Sequence, residues 1–494
     1  MNSSDHPSMI GSDCTLSIRP ASPLLPPTFR FSPRLCLTLL IVLGSLHWCA
    51  ARSRTDDAGY YLVRYTDKLS DPELDLQQAH EFLTANALLR RRRARIRVDS
   101  LDLPVSQNYL TQIRPFITEA RYHLRWLNAS LVLMDAEDAA YVARFPFVRE
   151  VKLVGRPEFG TSLLSNLRRR SAAPPDGDVA QPTDDFHGYA TPQILELRGD
   201  CLHNRGFNGR GRTIAVLDGG FSRLNEIPFF DSLRHHGRIL HTADLVDVDS
   251  TVDHGSGHGS QVLSVLAAHI PGLMVGSAPG ADYLLYRTES RRHQACLEEL
   301  NWAYAVEQAD SLGADIVSSS LGYDFHSGGC SEIGYSNQAA RIAVSKGMLV
   351  VSSAGNGGAS ASPQVQRPAN EPSVIAVGSI KPDGSVSDFS SFGCPDADAI
   401  KPEFVAPGAP AVVASLYEFR VNQANGTSFS APLVAGFAAC LWQAFPTATN
   451  RQILEALRRS CPAADQPDAR TGYGKPNFGR AFTILEQMIR ERRL

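Results

Sequence analysis

The 494-residue sequence predicts an α/β protein: a parallel sheet flanked by helices, preceded by a small α+β domain. Three observations carry that expectation. Beyond residue 189, short uninterrupted apolar runs alternate with helical stretches, the pattern of strands buried on both faces. Between 57 and 154, strand-like and helical segments follow one another at shorter spacing. A stretch rich in Pro, Gly, Ser and charge, 155–188, separates the two regions.

Residues 1–52 read as a leader. Arg30 and Arg34 precede "LCLTLLIVLGSL" (35–46), a charge-free run too short for a membrane span, which needs about 20 residues. The basic flank, short apolar core and small Ala50-Ala51 predict a signal peptide, with Met9 as an alternative start. Bulky His47 and Trp48 argue against a lipid anchor on Cys49.

In the 57–154 domain, "YYLVRY" (60–65) alternates like a strand. A helix is predicted from near Pro72 through "LLRRRRARI", with its arginine run 90–97 as a solvated face. "ASLVLMD" (129–135) and "FVREVKLV" (147–154) read as strands around a helical 136–145. The segment 155–188 is expected to be an exposed linker holding a maturation site.

From 189 to 485, the predicted strands are "TIAVLD" (213–218), "DYLLYR" (282–287), "DIVSSS" (315–320), "MLVVSSAG" (348–355) and "SVIAVG" (373–378). Helical stretches at 294–313 and 336–347 lie between them. A βαβα order places ligands at the carboxyl ends of the strands.

Composition excludes little but is consistent. A hydrophobic fraction of 43%, a charged fraction of 20% and a net charge of −3 describe a globular chain with no nucleic-acid signature. Six cysteines follow the leader: Cys201, Cys296, Cys330, Cys394, Cys440 and Cys461. In an exported chain they allow up to three disulfides, in any of about 15 pairings, although Cys440 inside an apolar helix reads equally well as a buried thiol. No Cys/His cluster has zinc spacing.

"NGTSFSAPLVAG" (425–436) sets Ser428 where a small-residue helix begins. That serine reads as a helix cap or as a nucleophile at the positive end of the helix dipole. Pro432 is expected in the first turn, where it removes no helical bond. A nucleophile needs a base, an orienting carboxylate and an oxyanion donor. Asp218 ends "AVLDGGF", His258 opens the helix of "GHGSQVLSVLAA", and Asn356 follows a strand in "SSAGNGG". His254 is the rival base.

Those four blocks, in that order, resemble the signature blocks of the subtilisin-like serine proteases (peptidase family S8), over roughly residues 189–485. "SSSLG" (318–322) is similar to their substrate-binding strand, and "PEFVAPG" (402–408) to the segment before the nucleophile. The first domain resembles the propeptide of exported bacterial members, through "LLRRRRARI", "LDLPVSQNYL" (101–110) and "LRWLNAS" (124–130).

The resemblance implies a subtilisin-like fold and a secreted serine endopeptidase made as a zymogen. It implies Asp218, His258 and Ser428 as the triad and Asn356 in the oxyanion hole. It implies Ser319, Ser320, Leu321 and Gly322 as the substrate-binding strand. Protein or peptide substrates follow, with the propeptide as an intramolecular inhibitor. No cofactor is required for the chemistry, no nucleic acid is a partner, and the mature form has no stable membrane span. Structural calcium is allowed, but no loop locates it. Ser260, Gln261 and Phe429-Ser430 depart from the family's usual residues while keeping their size small or apolar. The alternative is a pseudoprotease or binding module on the same fold; a complete triad speaks against it.

Overall fold

The computed structural model describes residues 57–68, 76–157, 181–290, 296–323, 334–393 and 399–491. The expected leader, residues 1–52, lies outside them. No helix among the described residues is long and apolar enough to cross a membrane.

The N-terminal region is a four-stranded antiparallel sheet: β1 (Gly59–Tyr65), β2 (Glu119–Leu124), β3 (Ala129–Met134) and β4 (Val148–Gly155), in the order β2-β3-β1-β4. Helices α1 (Ala85–Ala94), α2 (Gln107–Ile113) and α3 (Ala136–Val142) complete it. Alternation splits its two faces. Val63, Tyr65 and Val132 pack with Tyr109, Ile113 and Val142 into a core of this region's own. Leu62, Leu124 and Leu131 instead join the apolar layer of the larger region.

That larger region holds seven parallel strands. They are β5 (Thr213–Asp218), β6 (Ile239–Asp244), β7 (Asp282–Arg287), β8 (Ile316–Ser319), β9 (Leu349–Ser353), β10 (Ile375–Ile380) and β11 (Phe404–Pro407). Their order is β11-β10-β9-β8-β5-β7-β6. On β5, Ile214 and Val216 face α4 (His258–Ala267) and α7 (Thr427–Ala444), while Ala215 and Leu217 face α5 (Cys296–Leu312) and α6 (Tyr335–Ser345). Both faces are covered, so these strands read as unbroken apolar runs. Strands β6 and β11 carry too little of that pattern to be predicted.

The predicted long helix near Pro72 is not continuous. A 3₁₀ turn spans Leu76–Glu81, and α1 begins only at Ala85, capped by the Thr84 hydroxyl. Arg95, at φ 56°, ends it in a left-handed cap. The arginine run is not simply a solvated face either. Arg90 and Arg91 are 4% and 1% exposed. Arg90 donates to Asp310 at 2.5 Å and to the carbonyl of Ala314. Arg91 bridges Asp102 and Asp310 at 2.7 Å each, and Lys346 joins Asp99 and Asp102 at 2.8 Å. Removing such charges from water costs several kcal/mol per ion, which the carboxylate partner of each cation offsets.

The expected linker ends earlier than residue 188. Thr183 donates its N–H to Gly272 at 2.7 Å, and His187 is buried against His203, with 2.9 Å between ring nitrogens. Cys296 is disulfide-bonded, whereas Cys201, Cys440 and Cys461 are free, so three bridges do not form. Cys330 and Cys394 lie outside the described residues.

Candidate active site

Three strand ends and two helix starts converge at the carboxyl edge of the large sheet. Asp218 is the last residue of β5 and is 1% exposed. Its Oδ1 accepts the N–H of Gly219 at 2.7 Å. His258 is the first residue of α4, and its Nδ1 lies 2.9 Å and 3.0 Å from the two Asp218 oxygens. Gly259 makes this approach feasible: a Cβ there would stand 2.3 Å from the Gly220 carbonyl and 3.0 Å from Asp218 Cβ. With Nδ1 donating to the carboxylate, Nε2 is the basic position of the neutral ring. His254, the rival base, is turned to Asp244 at 2.9 Å instead.

Ser428 is the second residue of α7, a helix buried nearly all round. Phe429, next in line, packs its ring 5.7 Å from that of His258. Pro432 is the sixth residue of α7, not a first-turn proline, and it does remove a helical bond. The carbonyl it leaves unserved is that of Ser428, four residues back. The Ser320 hydroxyl takes that carbonyl at 2.8 Å, while the Ser428 hydroxyl points to the Ser320 carbonyl at 3.5 Å. Ser428 and the sheet edge are therefore laced together in both directions.

Asn356 follows β9. Its Oδ1 accepts from both the N–H and the hydroxyl of Thr427, at 2.9 Å and 3.0 Å. The Thr427 hydroxyl in turn accepts the N–H of Gly355 at 3.2 Å. Fixing the amide oxygen leaves the Nδ2 hydrogens as the side available to a ligand. Asn356 and Ser428 line one cavity together with Ser320 and Gly322.

The expected substrate strand divides. Ser320 and Gly322 reach the cavity. Leu321 is packed in the apolar core, and Ser319 is fully buried, its hydroxyl accepting from the Trp302 indole at 2.9 Å. At the departures from the usual residues, the Ser260 hydroxyl donates to the Ser222 carbonyl at 2.8 Å and that of Ser430 to Ala406 at 3.0 Å. Sequence reasoning missed Thr427 and the bonding role of Ser320. Both stand inside quoted motifs, but their partners are remote in the chain.

Asp244, Asp247 and His254 gather within reach of a single ion. Arg287 Nη1 already sits 2.5 Å from Asp244, 2.5 Å from Asp247 and 3.1 Å from His254. A guanidinium supplies the positive charge there, and imidazole nitrogen suits calcium poorly. These residues do not fit the structural calcium left open above.

Comparison with known proteins bears on this site. Residues 209–474, more than half of the chain, match the Subtilase family model. Residues 60–165 match a Peptidase S8 propeptide domain, Bacteroidota. The chain is similar to Subtilisin BL of Lederbergia lenta: 29% identical over 269 residues, 54% of this chain and 89% of the relative. It is similar to the Thermostable alkaline protease of Halalkalibacterium halodurans, 30% identical over 281 residues, 56% of this chain and 70% of the relative. It is also similar to Subtilisin E of Bacillus subtilis, 29% identical over 294 residues, 57% and 70%.

Proposed function

The chain belongs to the subtilase family and is a serine-type endopeptidase, and from that premise we propose that Asp218, His258, Ser428 and Asn356 perform the hydrolysis. The observation that carries this reading is the bidentate hold of Asp218 on His258 beside a cavity shared by Ser428 and Asn356.

In this reading, His258 Nε2 takes the Ser428 proton as Oγ bonds to the substrate carbonyl carbon. Asp218 fixes the tautomer and stabilises the imidazolium. The carbonyl oxygen, now carrying the electron pair, is held by Asn356 Nδ2 and the Ser428 N–H at the positive end of α7. Collapse breaks the C–N bond, and His258 gives its proton to the departing amine. Water, deprotonated by the same imidazole, then attacks the acyl-enzyme ester, and His258 returns that proton to Ser428 Oγ as the C–O bond breaks. The groups that catalyse these steps are side chains and backbone of this protein, and none of the steps calls for a cofactor. The substrate lies extended along Ser320–Gly322, gaining main-chain hydrogen bonds.

The propeptide match supports a zymogen in which residues 57–154 block the cleft. Export through the 1–52 leader belongs to the same reading. The hold of Gly272 on Thr183 supports a releasing cut between Gly155 and Thr183.

Peptidase assay of the wild type beside Ser428→Ala tests the proposal. The expected loss is about 10⁶-fold in turnover, a magnitude carried over from a related subtilisin. Retained hydrolysis by a folded Ser428→Ala protein would overturn it and leave the fold as a binding module.

A further inference from the structure

Phe429 stands next to Ser428 and departs from the residue usual at that place in the family. It is the third residue of α7, and its N–H donates to the Gly426 carbonyl at 3.1 Å. Its side chain is 3% exposed and belongs to the apolar core on the α4 and α7 side of the sheet. The ring centroid lies 5.7 Å from that of His258, with the two planes inclined at 47°.

The imidazole is thus enclosed on more than one side. Asp218 takes its Nδ1 at 2.9 Å and 3.0 Å, and the Phe429 ring flanks it. Leu416 closes on the residue before it: a Cβ on Gly257 would stand 2.2 Å from Leu416 Cδ1. About a third of the His258 side chain, 34%, stays open to water. The elements packed most closely against α4 are α7, β5, the strand Ala411–Ala414 and the turn Pro228–Phe230. Asp218 is the charged group that these elements present to His258. On the loop before α4, Asp253 accepts from Leu224 and Asn225, and His254 is engaged with Asp244, Asp247 and Arg287.

A benzene ring packs on a neutral imidazole much as on any apolar neighbour. It acts on the imidazolium in two opposed ways. Covering the cation with carbon removes hydration and disfavours it. The negative face of the ring attracts a cation within about 6 Å of its centroid. The first effect is partial here, because part of the His258 side chain remains wet, so the attraction decides. The imidazolium exists only once Ser428 has given up its proton. Attraction to it therefore lowers the barrier without tightening the hold on substrate.

We propose that Phe429 is a positioning residue for His258, whose ring steadies the imidazole and stabilises the imidazolium formed during catalysis. The assignment rests on the reading of His258 as the base. It is tested by replacing Phe429 with phenylalanines carrying one, two or three ring fluorines, which drain the negative face of the ring and barely alter its shape. The readout is the acid limb of kcat/KM against pH. Its midpoint is expected to move down stepwise, by about half a pH unit over the series, while kcat falls about threefold and KM holds. Phe429→Leu, apolar but without the ring, is expected to behave like the trifluorinated protein. A packing role alone would leave the midpoint in place as fluorine is added. A midpoint that stays fixed or rises overturns this assignment while His258 stands as the base. A wild-type profile with no acid limb down to about pH 4 overturns the reading of His258 and this assignment with it.

Discussion

Pro432 and Ser320 show how much of the site depends on single atoms. The proline withholds the N–H that would serve the Ser428 carbonyl, and a hydroxyl 108 positions earlier in the chain supplies it. Ser320→Ala leaves that carbonyl buried without its donor. The expected cost is about 1–3 kcal/mol of stability, with kcat falling more than KM because the nucleophile is displaced rather than the substrate strand. Unchanged denaturation midpoint and kcat would show that the bond is idle. Asn356→Ala removes the proposed side-chain oxyanion donor; the expected loss in kcat is about 10²–10³-fold, again a related subtilisin's magnitude. A loss below about threefold would remove Asn356 from that role. Asp218, His258, Asn356 and Ser428 were legible in the sequence because each stands beside the small residues that its strand end or helix start requires. The Ser320 bond was not, since its two ends meet only in the folded chain.

Elements reveal a second kind of limit. The arginines of α1 read locally as a charged surface run, and nothing in that window shows Asp310 waiting some 220 positions away. Burial inverted their meaning. In the full-length Ser428→Ala chain, Arg91→Ala would leave Asp102 and Asp310 buried with one fewer cation. The expected loss is about 3–5 kcal/mol in urea denaturation; an unchanged midpoint would contradict the reading of this network as a fastening. The segment before β5 carries a pH dependence of its own. His203 is pushed down to about 4, chiefly by burial, and burial also lowers His187. An unfolded chain takes up protons below about 6.5 that these folded histidines refuse. Their contribution to stability is therefore complete above that pH and drains away as pH falls toward 4. Melting temperatures of Ser428→Ala measured across this window are expected to drop more steeply than those of the same chain carrying His203→Gln. Parallel curves would rule His203 out as the cause.

At the scale of the whole molecule, the unbroken apolar runs of β5 and its neighbours made the parallel sheet readable. The edge strands β6 and β11, whose pairing is set by neighbours rather than by pattern, were not. The same sheet explains why an N-terminal domain is useful. Its strands are brought together from distant parts of the chain, a slow process, and Leu62, Leu124 and Leu131 contribute to the apolar layer over α5 and α6. If residues 57–154 are removed by Ser428 itself, N-terminal sequencing is expected to find a new terminus between Gly155 and Thr183 in wild type and an uncut propeptide in Ser428→Ala. The same cut in both proteins would assign it to another protease.

The central claim, that Ser428 is a nucleophile activated by His258, is tested most directly by a serine-directed fluorophosphonate, followed by peptide mapping in a mass spectrometer. The account predicts one adduct, on Ser428, formed with loss of peptidase activity and absent from both Ser428→Ala and His258→Ala. Peptidase activity that survives in a chain fully labelled at Ser428, or an inactivating adduct on a different serine, would contradict it.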